Sequence, residues 1–184
     1  MTGKAAIVGG GVIGAGWASR FLLNGWDVAV ADPDPEAPRK IEEVLAGARR
    51  ALPMLYDRAL PPEGRLSVSG DLEAAVAGAD WIQESVPERL EIKHAVRDRI
   101  EAAADRGALI ASSTSGFKPS ELRDGAAHPE RILVAHPFQP VYLLPLVELV
   151  GRGRDDPACA RAARCLEGIG MYPLIVRGEI DAHI

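Results

Sequence analysis

Ala5-Ala6-Ile7-Val8 breaks into Gly9-Gly10-Gly11-Val12-Ile13-Gly14, and Ile13, Trp17, Phe21 and Leu22 then recur at helical spacing as far as Asn24-Gly25. That order predicts a strand, a tight turn and a helix that stops at the Asn-Gly pair. Gly9, Gly11 and Gly14 hold the Gly-x-Gly-x-x-Gly spacing, in which the first glycine closes the turn, the second lets backbone approach a pyrophosphate and the third lets helix lie close on strand. The unpaired N–H groups and the dipole at the helix N-terminus favour negative charge there without a basic side chain. A second apolar run, Val28-Ala29-Val30-Ala31, ends at Asp32, about 20 residues beyond Gly11, where a carboxylate accepts hydrogen bonds from a ribose diol. Pro33 and Asp34 follow, so a 2'-phosphate would meet acid rather than arginine. The stretch therefore points to NAD rather than NADP, held by Gly9, Gly10, Gly11, Val12, Ile13, Gly14 and Asp32. Glycines also gather in ordinary turns, and only the conjunction of strand, helix and acid separates the two readings.

The chain has 184 residues, enough for one large domain that buries roughly 70% of its unfolded surface. Its apolar content of 47% and net charge of -5 are those of a globular protein with no electrostatic footprint for nucleic acid or an acidic membrane. No run reaches membrane-spanning length, and Met1-Thr2-Gly3-Lys4 enters the first strand without a signal-peptide core. A cytoplasmic site is the expectation. Cys159 and Cys165 have neither redox nor metal spacing and read as apolar fillers. No metal site is expected.

Outward from the opening unit the periodicity alternates between helix and strand. A helix from Pro35 carries Ile41, Val44, Leu45, Ala48 and Leu52 on one stripe; a strand at Leu66-Ser67-Val68-Ser69, a short helix from Leu72 to Ala77 and a strand at Trp81-Ile82-Gln83-Glu84 follow. The helix from Glu88 to Ala104 is expected to bury Ile92, Val96 and Ile100 and to leave His94 at the surface. Ala108-Leu109-Ile110-Ala111 is a fifth strand that runs into Ser112-Ser113-Thr114-Ser115-Gly116, polar residues at the carboxyl edge, where open α/β sheets bind ligands and where plain loops also collect such residues. Trp17 reads as core rather than as a stacking platform.

A sixth strand, Ile132-Leu133-Val134-Ala135, ends in His136, whereas His128 precedes Pro129 in a turn and His183 stands beside the chain end. Glu148 interrupts the apolar run Leu146-Val147-Glu148-Leu149-Val150, and a buried carboxylate needs a partner. If the chain turns back through Pro137-Phe138-Gln139-Pro140-Val141-Tyr142, His136 and Glu148 meet as a base held by an acid; otherwise Glu148 simply faces outward. A helix from Pro157 to Gly168, expected to bury Ala158, Ala162, Cys165 and Leu166, and a strand near Tyr172 to Val176 complete the pattern. The expected fold is α/β, a Rossmann-type doubly wound sheet, mostly parallel, with antiparallel C-terminal strands.

With these residues in place the sequence resembles the L-3-hydroxyacyl-CoA dehydrogenase superfamily over its whole length, and within it the branch that oxidises carnitine. The resemblance is carried by the glycine turn with Asp32, by Trp81-Ile82-Gln83-Glu84-Ser85-Val86-Pro87-Glu88-Arg89-Leu90, by Ser112 to Gly116 with Pro119-Ser120-Glu121-Leu122, and by His136-Pro137-Phe138-Gln139-Pro140 through Glu148. It implies that His136 is the catalytic base, that Glu148 orients it, that Ser115 contacts the substrate oxygen, and that Glu88 and Lys93 lie against the nicotinamide half of NAD. Acyl-CoA members usually carry Asn where this chain has Ser113 and Gln139. The implied substrate is a small 3-hydroxy acid, carnitine, with an acyl-CoA or a gulonate-type acid as the alternative. Between Pro33 and Arg65 the six basic residues Arg39, Lys40, Arg49, Arg50, Arg58 and Arg65 face six acidic ones, Asp34, Glu36, Glu42, Glu43, Asp57 and Glu63. That leaves no basic surplus for the phosphates of CoA. Tyr142 is open between two roles, a ring facing the trimethylammonium group and a packing residue.

The superfamily continues into an all-helical domain that closes the substrate cleft and forms the dimer. The expected division is therefore an NAD-binding domain over residues 1–178 and the beginning of a helical domain at 179–184, with a homodimer formed through that second domain. On this expectation the isolated chain binds NAD and turns over little or no substrate.

Overall fold

The computed structural model describes residues 3–153 and 155–179. Among them eight strands form one sheet in the order β3-β2-β1-β4-β5-β6-β7-β8. The strands are β1 (Lys4–Val8), β2 (Asp27–Ala31), β3 (Leu66–Ser69), β4 (Trp81–Glu84), β5 (Leu109–Ser112), β6 (Ile132–Pro137), β7 (Leu146–Val150) and β8 (Tyr172–Ile175). The helices between them are α1 (Val12–Leu23), α2 (Ala37–Ala51), α3 (Leu72–Val76), α4 (Leu90–Ala103), α5 (Pro119–Arg123) and α6 (Pro157–Gly168). Strands β1 to β6 are parallel. β7 runs antiparallel to β6 and β8 runs parallel to β7, so both C-terminal strands oppose the other six, as expected from the sequence.

Strand residues alternate between two apolar layers, because successive side chains point to opposite faces. Ile7, Val30, Trp81, Leu109 and Leu133 pack with α1, α2 and α6, whereas Val8, Ala31, Ile82, Ile110 and Val134 pack with α3 and α4. Trp17 is 0% exposed and belongs to the first layer. Arg20 of α1 is buried too and donates to the carbonyls of Tyr142, Ile169 and Gly170, tying the C-terminal segment to the first helix. Burial pushes the thiols of Cys159 and Cys165 up to about 11 and about 12, which leaves them inert as fillers. Cys159 rather than Cys165 takes the fully buried place on α6. Among the described residues no helix is long and apolar enough to cross a membrane.

The sheet order reverses at β1, whose neighbours β2 and β4 lead the chain in opposite directions. A crevice opens at such a switch point because the loops on either side part there. Helix α4 departs from the sequence expectation. Its buried stripe is Lys93, Arg97 and Ile100, not Ile92, Val96 and Ile100. Both charged residues find partners, Lys93 on Glu84 and Arg97 on Asp98 and the Leu122 carbonyl, so burying them is sustainable. Ile92 and Val96 turn to the crevice instead. His94 is half-buried, with Nε2 2.7 Å from the Glu121 carbonyl oxygen. Of the expected second domain at 179–184, all but Glu179 lies outside the described residues.

Candidate active site

The glycine turn meets each demand of its spacing. Gly9 has φ +96, open to glycine alone without strain, and a Cβ there would lie 2.6 Å from the Ser85 carbonyl oxygen. A Cβ on Gly14 would lie 1.8 Å from the Gly9 carbonyl oxygen, so only glycine lets α1 approach the strand this closely. At Gly11 a Cβ would meet nothing within 4 Å. That space belongs to a cleft of about 750 Å3 lined by Gly9, Gly11 and Ile13. No side chain caps the N-terminus of α1, and Val12 is 70% exposed. The first N–H groups of the helix thus face the cleft uncommitted to a protein cap, which suits a pyrophosphate.

Asp32 closes one end of the cleft. Its Oδ2 accepts from the Gly10 N–H at 2.6 Å and its Oδ1 from the Asp34 N–H at 2.8 Å. Each oxygen retains a second lone pair for a hydroxyl donor. Asp32 therefore shapes the turn as well as lining the cleft. Asp34 is ion-paired with Lys40 at 2.6 Å, and Arg99, which lines the cleft, is ion-paired with Glu73 at 2.8 Å.

The other end of the cleft is polar and lies over β4 and β5. Glu84, at the tip of β4, accepts from Lys93 Nζ at 2.9 Å, from the Val86 N–H at 2.8 Å and from Ser112 Oγ at 2.5 Å. Lys93 also reaches Glu88 at 3.2 Å. Lys93 lines the cleft with its stem while its ammonium is held by these two carboxylates. Glu88 in turn accepts from the Ser115 and Gly116 N–H groups at 3.1 and 3.0 Å and from the Thr114 hydroxyl. Desolvation would raise the Glu88 carboxyl, but the Thr114 hydroxyl, the Lys93 charge and the Gly116 N–H outweigh it and hold it below its usual range. Ser115 is exposed on this loop and faces the cleft. Beneath it Ser113 Oγ lies 3.2 Å from Trp17 Nε1, 2.8 Å from Gln83 Nε2 and 2.9 Å from Ser85 Oγ.

His136 and Glu148 meet. They are register partners across β6 and β7, with Nδ1 2.9 Å from Oε2, and Glu148 is 1% exposed. The outward-facing alternative for Glu148 is therefore excluded. The pair stands beyond the walls of the cleft, one strand past the Ser112–Ser115 loop. The pairing of Ser112 with Val134, two residues before Thr114 on one strand and His136 on the other, brings that loop level with the histidine. Tyr142 is partly buried and packs against the apolar layer of α1 and α2, and a Cβ on Gly47 would lie 3.3 Å from its hydroxyl. Sequence reasoning missed Ser85, Gln83 and Glu84 as site-forming residues. Their advance signals were a run of polar residues closing the apolar strand Trp81–Glu84 and their place in a stretch that carries the family resemblance, neither of which assigned them a role.

The sequence profile of the 3-hydroxyacyl-CoA dehydrogenase NAD-binding domain matches residues 4–180. A protein of Ruegeria pomeroyi named L-carnitine dehydrogenase/betainyl-CoA thioesterase is 64% identical over 181 residues, 98% of this chain and 37% of the relative. An L-carnitine dehydrogenase of Mesorhizobium japonicum is 52% identical over 183 residues, 98% of this chain and 50% of that protein. The chain thus spans half or less of the length of these two relatives. A crystal structure of 5-formyl-3-hydroxy-2-methylpyridine 4-carboxylic acid 5-dehydrogenase, described as an NAD+-dependent dismutase, matches with a TM-score of 0.89 and 28% identity over 100% of this chain and 60% of its own.

Proposed function

The chain belongs to the 3-hydroxyacyl-CoA dehydrogenase family as its NAD-binding domain, and on that premise we propose that it serves the oxidation of the 3-hydroxyl of L-carnitine to 3-dehydrocarnitine. The observation that carries the reading is the pairing of part-buried His136 with buried Glu148, set beyond the polar end of the cleft taken as the NAD site. NAD supplies the two-electron acceptor for the alcohol carbon. A carboxylate accepts only, so Glu148 draws the Nδ1–H tautomer, and Nε2 of neutral His136 takes the hydroxyl proton. Glu148 then stabilises the imidazolium that forms, and in the reverse direction the same pair returns the proton. The hydroxyl of Ser115, on the loop fastened by Glu88, holds the substrate oxygen. Glu88 and Lys93 shape the cleft wall against the nicotinamide half.

Support for carnitine over an acyl-CoA comes from the names of the relatives and from charge. Four of the six basic residues between Pro33 and Arg65 are ion-paired, Arg39 with Glu36 and Glu43, Lys40 with Asp34, Arg49 with Glu42 and Glu63, and Arg65 with Asp27. An approaching CoA phosphate would have to break such pairs. The test is NADH formation by the full-length polypeptide on L-carnitine, D-carnitine and L-3-hydroxybutyryl-CoA. L-carnitine is expected to be preferred, and a higher kcat/KM on the acyl-CoA would overturn the substrate. His136→Asn should lower kcat by about a hundredfold to ten-thousandfold while leaving NAD affinity intact; retained turnover would remove His136 as the base.

A further inference from the structure

Five side chains, those of Trp17, Trp81, Gln83, Ser85 and Ser113, converge behind the glycine turn, and their hydrogen inventory fixes the direction of every bond among them. Trp81 Nε1 lies 3.0 Å from Gln83 Oε1. An indole N–H only donates, so this contact identifies the Gln83 oxygen and leaves its NH2 group facing Ser113. Ser113 Oγ then accepts from Gln83 Nε2 and from Trp17 Nε1, which fills both of its lone pairs. Its own hydrogen must go to its remaining neighbour, Ser85 Oγ, at 2.9 Å. The opposite direction would crowd three donors onto two lone pairs and leave the hydroxyl hydrogen of Ser113, a residue only 8% exposed, without an acceptor. Ser85 Oγ is therefore an acceptor within the network, and its own hydrogen is available to something outside it.

Ser85 lines the cleft. Its backbone N–H is bonded to the Val8 carbonyl at 2.7 Å, and its carbonyl closes against Gly9, so the hydroxyl is held at the edge of the turn. Asp32 marks the side of the adenosine ribose on β2; Ser85 stands on the opposite side of β1, over β4. We infer that Ser85 donates its hydroxyl hydrogen to an acceptor oxygen on the nicotinamide half of NAD, and that Trp17, Gln83 and Ser113 are positioning residues that orient it for this. Each bond in the chain polarises the next, which strengthens the terminal donor. The inference rests on NAD binding and is independent of the substrate.

Calorimetric titration of NAD and of AMP, which lacks the nicotinamide half, tests it. Ser85→Ala should weaken NAD about threefold to tenfold, the range of one hydrogen bond, and leave AMP unchanged. Ser85→Thr, which keeps the donor, should retain most of the NAD affinity. A second readout needs no variant: the indole N–H resonance of Trp17 in the wild-type protein should shift when NAD binds and stay in place when AMP binds. Unchanged NAD affinity in Ser85→Ala, including the case where only the Michaelis constant for substrate rises, overturns the assignment. So do equal losses of NAD and AMP, which would make Ser85 a prop of the turn, and equal indole shifts with the two ligands.

Discussion

Lys93 Nζ lies 2.9 Å from Glu84 Oε1, and the two side chains are 2% and 5% exposed. Glu88 and Ser112 complete a knot that joins β4, β5 and α4 under the cleft. Such a pair gains little over an apolar one, but removing one member leaves an uncompensated buried charge. Lys93→Met should therefore destabilise the fold by about 3 to 5 kcal/mol in urea denaturation, and Glu84→Gln added to it should recover a large part. A single substitution that changes stability by less than about 1 kcal/mol would place Lys93 in solvent rather than in the knot.

Glu88 carries an acid-range consequence. Its folded carboxyl titrates below the usual carboxylate value because the Thr114 hydroxyl, Lys93 and the Gly116 N–H outweigh its desolvation. A depressed carboxyl contributes stability that is fully present above the unfolded value, about 4.3, and is lost as pH falls through the folded value. The wild-type advantage over Glu88→Gln in melting temperature should be steady between about pH 5 and 7 and shrink below about pH 4. An advantage that persists undiminished at about pH 3 would contradict the loop-fastening role.

The parts of this molecule legible in the sequence were those set by local rules. Gly9, Gly11, Gly14 and Asp32 announce their conformations by spacing, and the return of the chain through Pro137 to Tyr142 suffices to bring Glu148 against His136. Helix α4 was misread because periodicity reveals two adjacent stripes, Ile92-Val96-Ile100 and Lys93-Arg97-Ile100, and not which one faces the sheet. Hydropathy chooses the first; Glu84, buried at the end of β4, and the cleft that takes Ile92 and Val96 choose the second. The Trp17–Ser113–Ser85 chain was invisible for a similar reason, since its members are 96 and 28 residues apart and meet only once β1, β4 and β5 are in order.

Asp32 is expected to do more than discriminate against a 2'-phosphate. Asp32→Ser should narrow the gap between NAD and NADP by removing the repulsion, but it also strips acceptors from the Gly10 and Asp34 N–H groups. Stability should fall by about 1 to 3 kcal/mol, and NAD affinity should fall with it as the turn loosens. Parallel titrations of both dinucleotides and a urea midpoint check this. Equal affinities for NAD and NADP in the unsubstituted protein would remove Asp32 from the cofactor site.

Tyr142 decides between a packing ring and a cation-binding one, and Gly47 provides the lever. Gly47 sits inside α2, where alanine would gain about 1 kcal/mol in helix propensity. A Cβ there would lie 3.3 Å from the Tyr142 hydroxyl but 3.9 Å from the ring carbon that bears it. The first distance is crowded and the second is ordinary contact, so the hydroxyl should oppose the gain and the bare ring should not. Gly47→Ala should therefore be more stabilising in a Tyr142→Phe background than in the wild type, by roughly 0.5 kcal/mol or more, a coupling expected only of residues in contact. Equal effects in both backgrounds would separate the ring from α2. The same packing has a consequence for substrate: a ring held against α2 cannot also face a trimethylammonium group, so Tyr142→Leu in the full-length polypeptide should alter the Michaelis constants for carnitine and for an uncharged 3-hydroxy acid alike. A selective rise for carnitine, of about tenfold at most for one cation–aromatic contact, would return Tyr142 to the site and refute its packing against Gly47.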